Sequence, residues 1–194
     1  KAAKVKHTPL EKQGCSACHL PHVSAAGEHL LAKAVPELCL GCHKASAPTF
    51  VKKHVGYPVA TRRCTDCHDP HGGKTKGLLT SDTVAALCSE CHEKTLEGLA
   101  FVHGPAAIGQ CTACHQPHAS EHPALLKAAD RELCIECHTE ILDRTAERKH
   151  VHPPVEGSCL SCHKPHGAAN KMMLSATVPG LCLDCNDTIA ERLE

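Results

Sequence analysis

Large aromatic side chains are almost absent from this sequence of 194 residues. It contains no Trp, one Tyr and two Phe, although these residues normally dominate the burial of apolar surface. A chain of this length usually builds a sizeable hydrophobic core, so something else has to supply the apolar bulk. We expect the polypeptide to be largely unfolded without that component.

Long hydrophobic runs, strand patterns and a net charge are missing as well. No stretch approaches the length of a transmembrane helix, and the opening residues Lys1 to Lys4 lack the apolar region of a signal peptide. No long alternating run of Val, Ile and Tyr predicts a sheet. Basic and acidic residues balance at 21 each. We therefore expect no transmembrane segment and no nucleic-acid partner.

Cysteine, in contrast, is abundant and regularly spaced. All 16 cysteines fall into eight C-x-x-C pairs. The pairs are Cys15 and Cys18, Cys39 and Cys42, Cys64 and Cys67, Cys88 and Cys91, Cys111 and Cys114, Cys134 and Cys137, Cys159 and Cys162, and Cys182 and Cys185. Seven pairs are followed at once by histidine, and C-x-x-C-H is the attachment site of a c-type haem.

The spacing of the first motif explains why it suits a haem. Residues three and four apart share one face of a helical turn, so Cys15, Cys18 and His19 project to the same side. The two sulfurs can form thioethers to one porphyrin, and the imidazole can bind its iron. We therefore predict eight haem c groups with their iron, of which seven have a complete motif.

Three other interpretations of the cysteines are weaker. Zinc ribbons also contain C-x-x-C pairs about twenty residues apart, but zinc does not require histidine directly after the second cysteine. A disulfide scaffold leaves the histidines unexplained. A thioredoxin-like redox motif is expected once, near a βαβ pattern.

The pairs alternate between two kinds. An odd motif continues as C-H-x-P-H, and an even motif has leucine before its first cysteine. First cysteines of one kind recur every 46 to 49 residues, which indicates four tandem repeats with two haems each. The predicted repeats span residues 7–53, 54–102, 103–149 and 150–194, as one continuous haem-wrapped unit.

Each repeat has two further landmarks. An opening histidine precedes the odd motif by seven to ten residues, and an apolar pair lies eight to ten residues ahead of the even motif. The apolar pairs are Leu30-Leu31, Leu78-Leu79, Leu125-Leu126 and Met173-Leu174. We interpret Met173 as packing rather than as a haem ligand.

The expected fold is mostly irregular, with short α-helices, long loops, little or no β-sheet and haem as the organising group. The even motifs lie on the best predicted helices. Asp130 is a candidate cap for a helix from Arg131 to Arg148, and Ser81 or Asp82 for a helix that carries Cys88 to His92. The odd motifs allow about one turn of helix, because the proline that follows is unfavourable for continuation.

Histidines outside the motifs are candidates for the second axial ligand of each iron. Two recur in every repeat: the opening histidine and the histidine of the Pro-His sequence. The candidate distal ligands are His7, His22, His54, His71, His103, His118, His150 or His152, and His166. His29, His122 and the other member of the 150/152 pair lack such counterparts, so we interpret them as surface residues.

The eighth pair departs from the pattern, because Asn186 replaces the histidine. Asparagine is a poor ligand of haem iron. Its haem can take a ligand from elsewhere or keep an open coordination position. Alternatively, the pair carries no haem, or the residue is misidentified. We favour a haem here, because Leu181, Cys182 and Cys185 keep the frame of the repeat.

This alternation over residues 7–186 resembles the doubled C-x-x-C-H family of multihaem cytochromes c. The resemblance implies low-potential electron transfer by paired haems with bis-histidine iron. Carried over position by position, it gives proximal iron ligands at His19, His43, His68, His92, His115, His138 and His163. The departure at Asn186 leaves the eighth iron without an assigned proximal ligand.

The leading functional hypothesis is an electron conduit, because eight haems on 194 residues must lie close together. It acts either as a soluble periplasmic shuttle or as a subunit of an extracellular filament, in a processed prokaryotic chain. If even haems took their distal ligand from the next repeat, His7 of another subunit would complete the last one, head to tail. Expected partners are redox proteins or extracellular acceptors. The rival hypothesis is a multihaem oxidoreductase with an open iron site at the Asn186 haem.

Overall fold

Short helices joined by loops make up the computed structural model of this chain. It describes residues 3–26, 28–44, 52, 54–56, 60–61 and 63–192. Within those ranges there are ten α-helices of four to seven residues. They are α1 (Thr8–Gln13), α2 (Glu37–Leu40), α3 (Val84–Ser89), α4 (Gly104–Ala107), α5 (Cys111–Cys114), α6 (Asp130–Ile135), α7 (Glu140–Ala146), α8 (Pro153–Glu156), α9 (Gly180–Leu183) and α10 (Asp187–Ala190). The predicted fold class is confirmed.

Each even motif has its first cysteine on an α-helix, in α2, α3, α6 or α9. Helix α3 begins after Thr83, whose hydroxyl accepts a hydrogen bond from the backbone N–H of Ala86. Such a cap satisfies one of the free N–H groups at a helix start. The prediction of Ser81 or Asp82 as the cap is therefore wrong by one or two residues.

The helix predicted from Arg131 to Arg148 is divided in two. Helix α6 ends at Ile135 and α7 begins at Glu140. Between them, the N–H of Cys137 donates a hydrogen bond to the carbonyl of Cys134, three residues earlier, as in a 3-10 turn. His138 lies outside both helices. Asp130 is the first residue of α6 rather than its cap, and its carboxylate accepts a hydrogen bond from the hydroxyl of Ser158.

The odd motifs occupy single turns, as predicted. Three are 3-10 turns and the third repeat has the short helix α5. The 3-10 turns are Cys15–Ala17, Cys64–Asp66 and Cys159–Ser161. The prolines after these motifs cannot donate a backbone hydrogen bond, so the chain leaves the helical path there.

Within the described ranges, six two-residue strands form three antiparallel ladders. They are β1 (Val5–Lys6) with β3 (Gly72–Gly73), β2 (His54–Val55) with β5 (Ala119–Ser120), and β4 (Phe101–Val102) with β6 (Gly167–Ala168). In each ladder, the strand that opens one repeat pairs with the residues directly after the Pro-His sequence of the following repeat. A Cβ atom on Gly167 would lie 2.5 Å from the carbonyl oxygen of Phe101, so this close approach requires glycine.

The chain divides into two compact units. The first comprises Lys1–Cys91 with His115–Lys127 and contains the β1–β3 and β2–β5 ladders. The second comprises His92–Cys114 with Ala128–Glu194 and contains the β4–β6 ladder.

Neither unit is built around a core of large side chains. In the described part of the chain, Ala119 and Ala168 are the only buried apolar residues, and no large side chain is fully buried. The polypeptide exposes 14016 Å², whereas a compact protein of this mass exposes roughly 8,900 Å². The apolar bulk that the sequence lacks is therefore not replaced by packing among the side chains present.

Candidate haem sites

One hydrogen bond holds the imidazole of every odd motif. Its Nδ1 lies 2.7 to 2.9 Å from a backbone carbonyl oxygen nine or ten residues further along the chain. The four bonds join His19 to His29, His68 to Gly77, His115 to Ala124 and His163 to Met172. An Nδ1–H that donates to a carbonyl fixes the ring and leaves Nε2 free to bind a metal.

The accepting carbonyls belong to a left-handed turn at the apolar pair. The first residue of each pair has a φ between 53° and 58°. These residues are Leu30, Leu78, Leu125 and Met173. The second residue of each pair bridges to the backbone of the motif histidine, as Leu31 does to His19. In the sequence, the recurring apolar pair was the signal for the position of this turn. Its backbone conformation was not foreseeable, because leucine and methionine rarely adopt positive φ.

Four pairs of imidazole rings face each other with a constant separation. Their centroids are 6.0 to 6.1 Å apart, and their planes differ by 9° to 25°. The pairs are His7 with His43, His19 with His71, His68 with His118, and His103 with His138. An imidazole nitrogen binds a metal at about 2 Å, so two rings on opposite sides of one metal have centroids roughly 6 Å apart.

The four pairs follow one rule of pairing. The opening histidine faces the even motif of its own repeat, as His7 faces His43. The Pro-His histidine faces the odd motif of the preceding repeat, as His71 faces His19. The idea that His7 serves another subunit is thereby corrected, because its ring already stands opposite His43 in the same chain.

The second ring in two of these pairs is also oriented by a neighbour. Nδ1 of His7 lies 3.0 Å from the carbonyl oxygen of Pro70, and Nδ1 of His71 lies 3.4 Å from a carboxylate oxygen of Asp69. Loss of hydration lowers the pKa of His118, and the facing His68 lowers it further. Each effect favours the neutral imidazole or a fixed ring orientation, which metal binding requires.

All 16 cysteines are of intermediate or full exposure, and none is paired in a disulfide. Burial raises the pKa of Cys39, and the neighbouring Cys64 and Cys18 raise it further. Burial likewise raises the pKa of Cys134 to about 11, with added contributions from Cys159. Each of these even-motif cysteines shares a side-chain hydrogen bond with the first cysteine of the next odd motif. Attachment points of consecutive repeats are therefore in contact at both places.

The remaining predicted ligands differ in what the structure shows of them. Among the described residues, His22 and His163 are exposed and no imidazole faces either of them. The side chain of His54 lies outside the described part of the chain. The carbonyl of His166 accepts a hydrogen bond from the N–H of His103, in the β4–β6 ladder.

The structure distinguishes His152 from His150. His152 caps the start of α8, with proline in the first turn of that helix. His7 and His103 occupy the same position before α1 and α4. His152 is therefore the structural counterpart of the two opening histidines that face a motif imidazole.

The side chain of Asn186 is not placed like a metal ligand. Its side-chain amide Nδ2 donates to the carbonyl of Cys182 at 2.6 Å, so the amide is engaged with its own motif. Both Cys182 and Cys185 are exposed. The eighth pair therefore keeps its two thiols but has no ligand for iron in the proximal position.

The residues present fit haem better than the alternatives. Each cysteine pair lies beside a motif imidazole, and at four motifs a second imidazole has its centroid 6.0 to 6.1 Å away. This arrangement matches thioether attachment and two axial ligands. No cysteine is in a disulfide. The described residues contain no group of three or more His, Cys, Asp and Glu side chains that could hold a metal ion on its own, as a zinc ribbon would need.

Two further findings concern the chain as a whole. None of the helices in the described ranges is long and apolar enough to span a membrane. A family model with the description "Doubled CXXCH motif" matches residues 7–48, 57–97, 103–142 and 152–190. No curated protein matches the chain.

Proposed function

Because the chain belongs to the doubled CXXCH family of multihaem c-type cytochromes, we propose that it conducts electrons along its haems outside the cytoplasm, as a subunit of an extracellular filament. Its four doubled motifs attach eight haems c. Bound haem supplies reversible one-electron exchange at iron. The residues of this chain hold the haems, set their axial ligands and keep neighbouring attachment points together.

The observation that carries the proposal is the set of four facing imidazole pairs. A separation of 6.0 to 6.1 Å recurs at motifs of both kinds and in both compact units. A haem between two such rings has both axial positions filled by protein. It exchanges electrons without an open position for a substrate, and bis-histidine ligation favours a low potential compared with methionine ligation.

The proposed ligand set follows the pairing rule. The 16 cysteines form the thioethers, and the seven motif histidines are proximal ligands. The assigned distal ligands are His71 for the His19 iron, His7 for the His43 iron, His118 for the His68 iron and His103 for the His138 iron. His22, His152 and His166 remain proposed distal ligands, from their place in the repeat. His54 remains proposed from the sequence alone, because the ladder register places Gly56 where the third repeat has His103.

Contacts between cysteines support conduction from haem to haem. The Cys39 thiol touches Cys64, and the Cys134 thiol touches Cys159. Each contact joins the even motif of one repeat to the odd motif of the next. Thioether bonds at both members of such a pair would hold two porphyrin edges close together, without other protein between the attachment points.

Two other functions remain as alternatives. A soluble periplasmic shuttle uses the same haems but acts as a monomer. A multihaem oxidoreductase needs one iron with an open position, and Asn186 favours such a site because its amide is bound to the Cys182 carbonyl. The conduit is the better supported function, because the described imidazole pairs supply two ligands at each of four motifs.

Three measurements on the native holoprotein test the proposal. Intact mass should give eight haems, and the reduced visible spectrum should show a sharp α-band. Electron paramagnetic resonance should show that most of the ferric haems are low-spin. Negative-stain imaging then separates filament from shuttle. A colourless protein with the mass of bare polypeptide would remove the haem assignment, and turnover of nitrite or hydroxylamine would favour the enzyme.

A further inference from the structure

Consecutive repeats interlock through two contacts that always run in the same direction. The opening strand of one repeat pairs with the two residues after the Pro-His sequence of the next repeat. The same Pro-His histidine faces the odd-motif histidine of the earlier repeat, as His71 faces His19 and His118 faces His68. The first two repeats therefore receive both a strand contact and an imidazole from the repeat that follows, and the third repeat receives the strand contact.

In the part of the chain that the structure describes, the donor surface of the first repeat is not paired. Its Pro-His histidine is His22, and the two following residues are Val23 and Ser24. Val23 is 77% exposed. In the other three repeats the residues in that register, Gly72, Ala119 and Gly167, are buried against an opening strand. The surface is already shaped for pairing, because the Ser24 hydroxyl donates to the Leu31 carbonyl as Ser120 does to Leu126.

The last repeat has the recipient surface without a donor. His163 is oriented by its bond to the Met172 carbonyl like the other odd-motif histidines, but no described imidazole faces it. Val151 precedes His152 as Val102 precedes His103. Val102 lies in β4 and pairs with Gly167, whereas residues 149–152 belong to none of the described strands. A free strand edge and an unmatched imidazole thus occur together at this end as well.

We infer that the two ends bind each other between copies of this chain: His22 of one copy supplies the distal ligand to the His163 iron of another. The inference rests on the proposed function and names the partner of its filament as a second copy of the same chain. The recipient iron would have one open axial position in the isolated chain. The bond that forms joins that iron to Nε2 of His22, with no change of oxidation state.

The internal ladders set the register of this interface. Lys6 pairs with Gly72, Val55 with Ala119 and Val102 with Gly167. The equivalent pair between copies is Val151 with Val23, and His150 then stands opposite Ser24. The backbone N–H of His103 donates to the His166 carbonyl, so the N–H of His152 donates to the carbonyl of His22. Ala119 shows that a side chain, not only glycine, is accepted in the position of Val23.

Two substitutions at the first repeat test the interface in the haem-loaded full chain. His22→Ala removes the donated ligand, and Val23→Asp places a charge where the other repeats bury a small residue. Both positions are exposed in the isolated chain, so haem content should not change. His122→Ala is the matched control, because it also removes one imidazole and none of the four described ring pairs includes His122.

Assembly is measured by light scattering and imaging, and ligation by the high-spin ferric signal. Wild type and His122→Ala should assemble. His22→Ala should lose assembly and gain one high-spin haem per chain. Val23→Asp should assemble at least tenfold less than wild type. Added imidazole should remove the new signal of His22→Ala without restoring assembly.

A small amount of His22→Ala mixed into wild type should shorten the assemblies. Its last repeat still accepts a wild-type copy, whereas its first repeat supplies no ligand. Assembly of either variant at the wild-type level, or a wild-type chain that stays monomeric at high concentration, overturns the inference. A monomeric wild type with low-spin haems leaves electron transfer intact, whereas a chain without haem removes the proposed function itself.

Discussion

Hydrogen bonds at Nδ1 of the imidazole rings decide which ring nitrogen is available to bind iron. Nδ1 of His19 donates to the His29 carbonyl, and Nδ1 of His7 lies beside the Pro70 carbonyl. With Nδ1 engaged, Nε2 is the nitrogen that remains available to bind a metal. His29 therefore contributes through its backbone, although its side chain has no predicted role.

Replacing a single facing imidazole should affect a single haem. We expect His71→Ala to keep all eight haems, because Cys15 and Cys18 make the thioethers, but to convert the His19 haem from low-spin to high-spin. Electron paramagnetic resonance and intact mass measure the two results. His122→Ala is the control, since no imidazole ring is described opposite His122. An unchanged low-spin count in His71→Ala would contradict the ligand assignment.

At the scale of elements, the left-handed turn at the apolar pair is the most unusual local structure. It recurs in all four repeats with residues that normally avoid positive φ. The turn presents its carbonyl to the motif histidine, as Met172 does to His163. The local strain persists because the surrounding bonds fix it, among them the one from the Lys164 N–H to the Met173 carbonyl.

Glycine at one of these positions should therefore stabilise the protein. Met172 has a φ of 56° and is 78% exposed, so Met172→Gly removes strain with little loss of packing. We expect the free energy of unfolding to rise by about 0.5 to 1 kcal/mol, measured by chemical denaturation of the haem-loaded chain. Met172→Ala keeps the Cβ atom and should give no such gain. Equal or lower stability of the glycine variant would argue against strain at this turn.

At the scale of the whole molecule, the protein contributes a scaffold but not a core. Only two small apolar residues are buried in the described part of the chain. The backbone ladders are two residues long, and a ladder of that length is not stable by itself. The eight porphyrins therefore supply the buried apolar surface on which the fold depends.

A chain made without haem should not fold. We expect its far-ultraviolet circular dichroism to lack helical signal and its thermal scan to show no cooperative transition, because the ladders and four- to seven-residue helices cannot form alone. The haem-loaded chain serves as the reference. A cooperative transition in the haem-free chain, at a temperature close to that of the reference, would disprove this dependence.

The sequence predicted the attachment pattern, the repeat and the short helices, because each is written in local spacing. It did not predict which histidine faces which motif. The facing of His19 and His71 depends on a ladder between repeats, and two-residue strands such as Gly72–Gly73 have no periodic signal. The prediction of one helix from Arg131 to Arg148 was wrong for a related reason. Apolar periodicity continues through His138, although that residue lies between two separate helices.

The offset between a Pro-His histidine and the repeat it serves has a consequence for the length of such proteins. Inserting or deleting one whole repeat would still leave an unpaired donor surface in the first repeat and an unpaired recipient surface in the last. Four copies and five copies would thus present identical termini to their neighbours. With the proposed interface, gene duplication would lengthen the protein without changing the donor surface at Val23 or the recipient surface at Val151. Chains of different size would then be able to join one continuous polymer.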